Sequence, residues 1–376
     1  MRVLEIINNL QPAGAERLLR DLMPRFRERG WTPELFLLHS TDSWLEKDIR
    51  ESFVVHDGGS GSPCAMSRFW RLAAHVLRNR DRYDLIHVHL FPAQLFAAWT
   101  SFLAPSVPIV ATEHSTTNRR RRIGFRTVDR WMYRRFATVV GVSEAVSNEL
   151  GNWLEVEPGP VVWNGIELAK FALGRTDALK RELGIRRPLI LSIGRFHPPK
   201  DQATAIRALP HLPSAGLALV GVGPEMQFCR DLAAKLGVSE RVWFLGERSD
   251  VPQLIAGSDL YLQCSRWEGF GIAVVEAMAG GLPVMGTSVD GFRQVVADAG
   301  LFFAPGDHLG LARVATEILD HPDLRSELSQ RSRVRASEFN IERTADEYCR
   351  VFDQTVRAAT RVSAECTHQF STGENL

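Results

Sequence analysis

The sequence has few cysteines and no long apolar run. Its five cysteines are scattered over 376 residues without a CxxC pair, so neither a disulfide framework nor a thiolate zinc site is predicted. No stretch of 18 uninterrupted apolar residues occurs, so no membrane-spanning helix is expected. The opening residues, MRVLEIINNL, lack the length and cleavage site of a signal peptide and are expected to form a strand. We therefore expect a cytoplasmic protein.

The sequence also lacks an excess of charge of either sign. Lys and Arg number 45 against 44 Asp and Glu, and this formal net charge of +1 provides no whole-molecule attraction to nucleic acid or membranes. Apolar residues make up 45% of the chain, which is ample for folding, and the length exceeds what one core usually organises. Two domains are therefore expected, and any basic surface must be local.

Short apolar runs rich in β-branched residues alternate with amphipathic stretches along both halves of the chain. This pattern predicts an α/β protein with two doubly wound domains, whose ligand crevices lie at the carboxyl ends of the strands and face each other. Residues 158–176 are rich in turn formers and are interpreted as the crossing between domains 1–165 and 166–340. Residues 361–376 are polar and are expected to form a flexible tail. The predicted strands are 3–7, 35–38, 53–55, 85–90, 108–112, 138–142, 189–193, 217–220, 242–245, 260–263, 283–285 and 301–303.

A basic loop follows the predicted strand 189–193. Its sequence, GRFHPPKD, places Arg195 and Lys200 five residues apart, and two prolines restrict the backbone between them. Arg and Lys together can neutralise the charge that develops on a diphosphate leaving group without a bound metal ion. An ordinary solvated loop explains the same residues, and the position directly after a strand together with the two prolines makes a binding site an equal alternative.

The segment QCSRWEGFGIAVVEAMAGGLPVM contains the most informative motif. Gly269, Phe270 and Gly271 precede a predicted helix, where backbone amides that are free of large side chains can approach a phosphate. Glu268 can accept hydrogen bonds from a sugar, although a simple helix-terminal charge is the alternative. Glu276 lies among apolar residues on this helix, and a buried carboxylate is expected to have a partner, such as a ribose diol.

The spacing of the two glutamates argues against a glycoside hydrolase. Eight residues along a helix correspond to about 12 Å, beyond the roughly 5 to 9.5 Å between the paired carboxyl groups of those enzymes. A nicotinamide enzyme is also disfavoured. The sequence GVGPEM contains GxG without the third glycine, and no acidic residue is suitably placed beyond the first turn.

Four residues of the first half carry weaker signals. Gly14 lies where the first strand turns into a helix, a place that suits an anion but often needs glycine for geometry alone. His87 and His89 alternate along one strand like metal ligands, but no third ligand is apparent, so a packed, hydrogen-bonded pair is favoured. His114 follows a strand, where a neutral imidazole either contacts a sugar hydroxyl or has a structural role. No metal site is therefore predicted.

A basic run lies in the first half of the chain. It is expected to form one face of a helix, opposite the apolar residues Phe125, Val128 and Met132. Near an anionic membrane each cation can contribute on the order of 1 kcal/mol, although a solvated helix face is an equal alternative. Nucleic acid is disfavoured because no stacking aromatics or binding module accompany the run. The basic residues are Arg119, Arg120, Arg121, Arg122, Arg126, Arg130 and Arg134.

Taken together, these segments resemble the retaining glycosyltransferases of family 4. The pieces stand in the family's order along nearly the whole chain: AGAE, DLIHVHL, TEHSTTNRRRR, VVGVSEAV, VVWNGIEL, LSIGRFHPPKD, VGVGPE, VWFLGER and SRWEGFGIAVVEAMAGGLPVMGT. The resemblance implies the GT-B fold of two facing Rossmann-like domains, with a terminal helix, residues 341–360, that crosses back to the first. It also implies sugar transfer from a nucleotide-diphosphate donor with retained configuration, through front-side attack and without a cofactor or metal ion.

The resemblance further implies roles for individual residues. Arg195 and Lys200 would bind the diphosphate of a UDP or GDP donor, Glu268 the transferred sugar and Glu276 the ribose. The acceptor would be a glycan or a lipid-linked molecule, which suits a cytoplasmic enzyme at the inner face of a membrane. The resemblance also places Gly14 near the phosphates, His114 beside the sugar and Arg248 near the base.

The chain departs from the family pattern after PVMGTS. Asp290 and Gly291 stand where the family commonly has a Gly-Gly turn, and Gln294 stands where a glutamate commonly follows. The local turn and any sugar contact there are therefore open. A nucleotide-sugar epimerase of the same fold and an inactive nucleotide-sugar-binding protein are the competing functions.

Overall fold

A computed structural model describes residues 1–59, 66–117 and 124–371 of the chain, with side chains described up to residue 361. The described residues form two compact units. The first comprises those of Met1–Asn164 and Ile341–Leu376, and the second is Gly165–Asn340. Each unit contains one six-stranded sheet and its own apolar core. Among the described residues, every helix is too short or too polar to cross a bilayer.

The first sheet is entirely parallel and has the strand order β3-β2-β1-β4-β5-β6. Residues of β1, β4 and β5 are almost all buried, because helices cover both faces of a parallel sheet. Its strands are β1 Arg2–Ile7, β2 Thr32–Leu37, β3 Val55–Asp57, β4 Leu85–His89, β5 Ile109–Glu113 and β6 Thr138–Gly141. The helices between and after them are α1 Gly14–Glu28, α2 Trp44–Ser52, α3 Met66–Arg78, α4 Ala93–Thr100, α5 Arg126–Tyr133 and α6 Glu144–Leu154.

The second sheet is also parallel and has the order β12-β11-β10-β7-β8-β9. Its strands are β7 Leu189–Ile193, β8 Gly216–Val220, β9 Val242–Gly246, β10 Leu260–Gln263, β11 Val284–Thr287 and β12 Gly300–Phe303. The helices of this unit are α7 Ala178–Glu182, α8 Gln202–Ala208, α9 Met226–Lys235, α10 Val251–Ala256, α11 Ile272–Ala279, α12 Asp290–Val296, α13 His308–Asp320 and α14 Pro322–Ala336.

Both sheets have the same topological switch point. The strand order reverses between the first and fourth strand of each sheet, which are β1 and β4 in one unit and β7 and β10 in the other. Ligands of open α/β sheets bind beyond the carboxyl ends of the strands at such a point. The loops that follow these four strands are therefore where functional side chains are expected.

The last helix, α15 Ile341–Ser371, belongs to the first unit. The ring of Phe352 packs edge-on against Phe26 and Trp31 at centroid distances of 5.3 Å, which attaches α15 to the N-terminal part of the unit. The helix continues through residues 361–371, where the sequence predicted a flexible tail. That stretch contains neither Gly nor Pro, the residues that most strongly end a helix.

All the predicted strands are present, so the predicted α/β class with two doubly wound sheets is confirmed. The two strands at the centre of the second sheet, β7 and β10, have the predicted bounds. The largest shift is at the start of β2, which begins at Thr32 and not at residue 35 as predicted. The alternation of apolar runs is thus sufficient to locate the strands of a sheet that is buried on both faces.

Candidate functional site

The loop after β7 presents Arg195 at the surface. The neighbouring Phe196 is fully buried and anchors the loop in the core. The side-chain amide of Gln202 donates hydrogen bonds to the carbonyl oxygens of Gly194 and Arg195, at 3.3 and 3.1 Å. The Arg195 backbone is therefore held in place, while its side chain is exposed and makes no hydrogen bond or ion pair with the described residues.

Two glycines of GVGPE bring the loop after β8 close to this loop. A Cβ atom added to Gly221 would overlap the carbonyl oxygen of Gly194, and one added to Gly223 would overlap that of Phe196. Both glycines also have positive φ, at +129° and +156°. The GxG that did not complete a dinucleotide motif thus has a steric role in the packing of these two loops.

The carboxylate of Glu268 is held by three side chains. Lys200 Nζ donates to Glu268 Oε2 at 2.5 Å, Gln263 Nε2 at 2.9 Å and Ser265 Oγ at 3.0 Å. The hydroxyl of Tyr261 donates to Gln263 Oε1 at 2.8 Å, which orients the Gln263 amide so that its nitrogen faces the carboxylate. All hydrogen bonds that the described residues make to this carboxylate end on Oε2. The second oxygen, Oε1, is available to a ligand.

Glu268 lies in the loop before α11 and not on the helix. The helix begins at Ile272, and Gly271 at its N-cap has a φ of +88°, which favours glycine. The eight-residue helix from which a separation of about 12 Å was derived is therefore wrong, because only the part from Ile272 to Glu276 is helical. Phe270 is buried and packs edge-on against Phe339 at 5.4 Å, which fixes the loop between the two glutamates.

Glu276 is half-buried, whereas its apolar neighbours on α11 predicted a buried carboxylate. The helix turns Val274, Val275, Ala277 and Met278 toward the core and leaves Glu276 on the more open side. Burial of Tyr261, together with the negative charges of Glu276 and Glu268, raises the pKa of its hydroxyl well above the usual value. Both glutamates are therefore close enough to act electrostatically on one buried tyrosine.

The segment that departs from the family pattern keeps the glycine that the packing requires. A Cβ added to Gly291 would overlap the carbonyl oxygen of Glu268. Asp290 is exposed at the first position of α12, where a carboxylate interacts favourably with the helix dipole. Only the second position of the Gly-Gly turn is therefore restricted by a neighbouring atom, so aspartate is tolerated at the first.

Arg248 is engaged by two carboxylates of the second unit. Its guanidinium donates to Asp250 at 2.7 and 2.6 Å and to Glu182 at 2.8 Å. These hydrogen bonds, first those to Asp250 and then the one to Glu182, raise the pKa of Arg248 above its usual value. Its role as a neighbour of the base stays a prediction, and a ligand there has to share a guanidinium that already has partners.

Gly14 is the first residue of α1 and is exposed. The N-cap residue, Ala13, provides no side-chain hydrogen bond to the first turn of this helix. The backbone amides at the start of α1 are thus not capped by the N-cap side chain. A role of Gly14 near a phosphate stays a prediction.

His87 and His89 have a partner that the sequence did not reveal. The register of β1 and β4 pairs Glu5 with His87, and all three side chains are buried. Glu5 Oε2 lies 2.9 Å from His87 Nδ1 and 3.1 Å from His89 Nε2. This group has the spacing of a metal site, so the expectation that no third ligand exists is corrected. Glu5 was visible only as one charged residue inside the apolar strand VLEII.

His114 follows β5 directly and lies beside this group. Its Nε2 is 3.1 Å from His89 Nδ1. Burial and the neighbouring His89 and His87 lower the pKa of His114 well below its usual value. A neutral imidazole, as the sequence suggested, is the form that this environment favours.

The basic run is only partly described. Residues 119–122 lie outside the described residues, so the expectation for the four consecutive arginines is not addressed by the structure. Arg126 and Arg130 both pair with Glu155. They also donate to the carbonyl oxygens of Trp153 and Leu154, at 2.7 and 2.9 Å. Part of the positive charge that was assigned to one open face is therefore neutralised within the unit.

The apolar side of the same helix is also more open than predicted. Met132 is fully buried, but Phe125 and Val128 are 48% and 43% exposed. Phe125 precedes the helix, which begins at Arg126, so this ring is not held by a helical turn against the core. The region therefore combines exposed apolar and basic side chains instead of separating them on opposite faces.

Two further residues of the site were missed at the level of sequence. Gln263 is the last residue of β10, and Ser265 lies two residues beyond it. Both are polar residues at the carboxyl end of an apolar strand, and this position is the signal by which they could have been found. They can donate hydrogen bonds to Glu268 only because the loop folds so that this carboxylate lies at the end of β10.

Two family models match the chain. The model of glycosyl transferases group 1 matches residues 176–335, and that of glycosyltransferase family 4 matches residues 12–170. The lipopolysaccharide core biosynthesis mannosyltransferase LpsB of Rhizobium meliloti is 29% identical over 316 residues, covering 79% of this chain and 81% of that protein. The N-acetyl-alpha-D-glucosaminyl L-malate synthase of Bacillus anthracis is 28% identical over 299 residues, covering 74% and 76%.

Solved structures share the fold. HepE of Anabaena in complex with UDP-glucose has a TM-score of 0.84 at 24% identity, over 94% of this chain and 100% of that one. WaaG, a glycosyltransferase involved in lipopolysaccharide biosynthesis, has a TM-score of 0.75 at 19% identity, over 93% and 99%. The family models, the relatives and the shared GT-B fold agree with the motifs at the strand ends. The chain therefore belongs to the group 1 glycosyltransferases.

Proposed function

We propose that this glycosyltransferase takes a sugar from a UDP or GDP sugar and transfers it, with retention of configuration, to a glycan or lipid-linked acceptor. The observation that carries the proposal is the Glu268 carboxylate beyond β10, bound to Lys200 from the loop after β7. These are the two strands at the switch point of the second sheet, where a ligand of such a sheet binds.

The diphosphate would be neutralised by Arg195 and Lys200. The exposed Arg195 guanidinium can bind phosphate oxygens through two parallel hydrogen bonds. An ammonium group has three N–H donors, and within the described residues Lys200 uses one of them, on Glu268. Lys200 can therefore hold the carboxylate and a phosphate oxygen at the same time. Two cations at the end of β7 supply the stabilisation that a leaving diphosphate needs, so we expect transfer without a metal ion.

The sugar and the ribose would be addressed by the two glutamates. Glu268 Oε1 is free to accept a hydrogen bond from a sugar hydroxyl, because its partners are all on Oε2. Glu276 lies four residues into α11 on the more open side of the helix and is assigned to the ribose diol. His114 is assigned to the sugar, and front-side attack assisted by the leaving phosphate accounts for retention without a protein nucleophile.

The relatives support the donor and acceptor classes. HepE is solved in complex with UDP and glucose, and LpsB acts in lipopolysaccharide core biosynthesis. Another relative, 25% identical over 243 residues, is a UDP-Gal:alpha-D-GlcNAc-diphosphoundecaprenol alpha-1,3-galactosyltransferase of Escherichia coli. We infer a role in the synthesis of a bacterial surface polysaccharide or glycolipid.

A calorimetric panel of UDP-, GDP- and ADP-sugars tests the proposal. We expect one nucleotide class to bind, with the same affinity in the presence of EDTA. Absence of binding by every nucleoside diphosphate and its sugars would refute a nucleotide-sugar donor. Incubation with the bound donor alone distinguishes the alternative function, since an epimerase changes the sugar without an acceptor. The anomeric configuration of the transferred product, read by NMR, decides between retention and inversion.

We also propose peripheral contact with an anionic membrane through the basic run at residues 119–122. The exposed Phe125 and Val128 next to it are suited to the interface between headgroups and acyl chains. Sedimentation with vesicles of phosphatidylglycerol and phosphatidylcholine tests this contact. Replacing the four arginines by glutamine is expected to release the protein, and replacing Arg325, Arg331, Arg333 and Arg343 serves as a control of equal charge. Equal sedimentation of both variants would contradict the proposal.

A further inference from the structure

We propose that Glu5 and His89 are positioning residues for His114, which they hold with its hydrogen on Nε2 and its lone pair on Nδ1. His114 would then accept a hydrogen bond from a hydroxyl group of the bound sugar. The identity of that hydroxyl rests on the proposed function, whereas the state of the His114 ring does not.

The three side chains form a continuous hydrogen-bonded row. Glu5 is fully buried, and its Oε2 lies 3.1 Å from His89 Nε2. His89, which is 1% exposed, presents its other ring nitrogen, Nδ1, to His114 Nε2 at 3.1 Å. The row thus begins on β1 at the centre of the first sheet, passes through β4 and ends just beyond β5, at the carboxyl edge of the sheet.

The direction of the hydrogen bonds follows from the carboxylate. Two ring nitrogens approach the same oxygen, Glu5 Oε2, with His87 Nδ1 at 2.9 Å and His89 Nε2 at 3.1 Å, and the single hydrogen of a carboxylic acid could serve only one of them, so Glu5 is assigned as an ionised carboxylate. An ionised carboxylate only accepts hydrogen bonds, so His89 must carry its hydrogen on Nε2. His89 is 1% exposed, and burial favours the neutral form of an imidazole, so with its hydrogen on Nε2 the other ring nitrogen, Nδ1, is unprotonated. The bond between the two rings therefore has His114 as its donor.

The other ring nitrogen of His114, Nδ1, is then a hydrogen-bond acceptor. A neutral imidazole has one N–H, and in His114 that hydrogen is on Nε2. The ring is half-buried, and within the described residues its only hydrogen bond is the one to His89. Its Nδ1 lone pair is thus left for a donor such as a sugar hydroxyl. The same logic, in which a buried acid sets the tautomer of an imidazole, operates in catalytic triads.

Glu5 is poorly explained by packing. Its Oε1 has no hydrogen-bond partner among the described residues, and its neighbours on β1, Leu4 and Ile6, are fully buried apolar residues. A buried carboxylate with an unsatisfied oxygen lowers stability relative to an apolar residue of similar size. The proposed role in fixing the tautomer of His114 explains why a carboxylate stands at Glu5, whereas packing does not.

The experiment measures the tautomer directly. Protein labelled with ¹⁵N at histidine is studied without ligand by two-bond ¹H–¹⁵N spectra, with the His114 signals assigned from a His114→Gln variant. We expect wild-type His114 to be protonated on Nε2 alone. In His89→Phe the ring loses its acceptor, so signals of both tautomers are expected. Glu5→Gln is the milder second variant, because an amide can donate as well as accept and no longer imposes a direction.

The matched control is His87→Phe. His87 is as buried as His89 and also contacts Glu5, but it has no hydrogen bond to His114. A purely structural role predicts equal effects of the two Phe variants, whereas the proposal predicts a tautomer change in His89→Phe only. Affinity for the nucleotide-sugar is expected to fall about fivefold to tenfold in that variant, the effect of one hydrogen bond, with affinity for the nucleoside diphosphate unchanged.

Three results would overturn the inference. These are wild-type His114 protonated on Nδ1, an equal response in His87→Phe, and one equivalent of metal in the purified protein. A metal ion would take the lone pair of His89 Nε2 that the proposal assigns to a hydrogen. Lack of nucleotide-sugar binding together with the expected tautomer would refute the proposed function and leave this inference standing.

Discussion

Lys200 Nζ donates to Glu268 Oε2 over 2.5 Å and joins the loop after β7 to the loop after β10. The two residues are 68 positions apart in the chain, and they meet because β7 and β10 are neighbours at the switch point of the sheet. The cation expected at the diphosphate and the carboxylate expected at the sugar are thus parts of one cluster. This relationship leads to the first three predictions.

Glu268→Gln should separate sugar binding from nucleotide binding. The amide keeps the size of the side chain but loses the charge, so the hydrogen bond to a sugar hydroxyl weakens. Hydrogen bonds to charged groups contribute about 1.5–3 kcal/mol, so affinity for the nucleotide-sugar should fall at least about tenfold. Calorimetry with the sugar and with the nucleoside diphosphate alone checks this difference. Glu240→Gln, at an exposed position of the same unit, is the control.

Arg195→Ala should weaken binding of the nucleoside diphosphate about tenfold to hundredfold, through loss of charged hydrogen bonds. Because the side chain is exposed and makes no bond with the described residues, the melting temperature should not change. Arg313→Ala, at an exposed position of α13, is the control for a general loss of charge. An unchanged dissociation constant in Arg195→Ala would rule out the assigned role.

Gly291→Ala should displace the backbone of the loop that contains Glu268. The added methyl group would overlap the carbonyl oxygen of Glu268, and a forced backbone shift of this kind destabilises by about 1–3 kcal/mol. Urea unfolding measures the stability, and calorimetry measures the accompanying loss of affinity for the nucleotide-sugar. Gly174→Ala, where a Cβ would meet no atom within 4 Å, should change neither quantity. Wild-type affinity in Gly291→Ala would show that the loop position is not critical.

Stability should fall as the pH is lowered from about 6.5 to 4. His89 has a pKa of about 4 in the folded protein against 6.5 for the ordinary residue, so in this window the unfolded chain binds more protons. One such group contributes a slope of at most about 1.4 kcal/mol per pH unit. Urea unfolding at several pH values should give a shallower slope for His89→Phe than for the wild type. The exposed His321→Gln is the control, and equal slopes in all three proteins would contradict the prediction.

Much of the architecture follows from the sequence alone. Apolar runs that alternate with amphipathic stretches locate the strands, because strands that are buried on both faces are nearly continuous in apolar residues. Once the strand ends are known, Arg195, Lys200 and Glu268 stand out as polar residues at places where ligands of such sheets bind. The glycines around Phe270 mark the same loop, since a positive φ at Gly271 favours glycine.

Other features depend on contacts that only the tertiary structure provides. The partnership of Glu5 with His89 requires β1 and β4 to be neighbours in a particular register, and the pattern within one strand contains no such information. The overlap between Gly291 and the Glu268 carbonyl likewise depends on how two loops pack. The sequence by itself determines the positions of the strands and of the glycine-containing turns, because these depend on periodicity and on the backbone conformation of neighbouring residues. Strand order and side-chain contacts between distant residues are decided by the folded chain, because they depend on distances that sequence spacing does not contain.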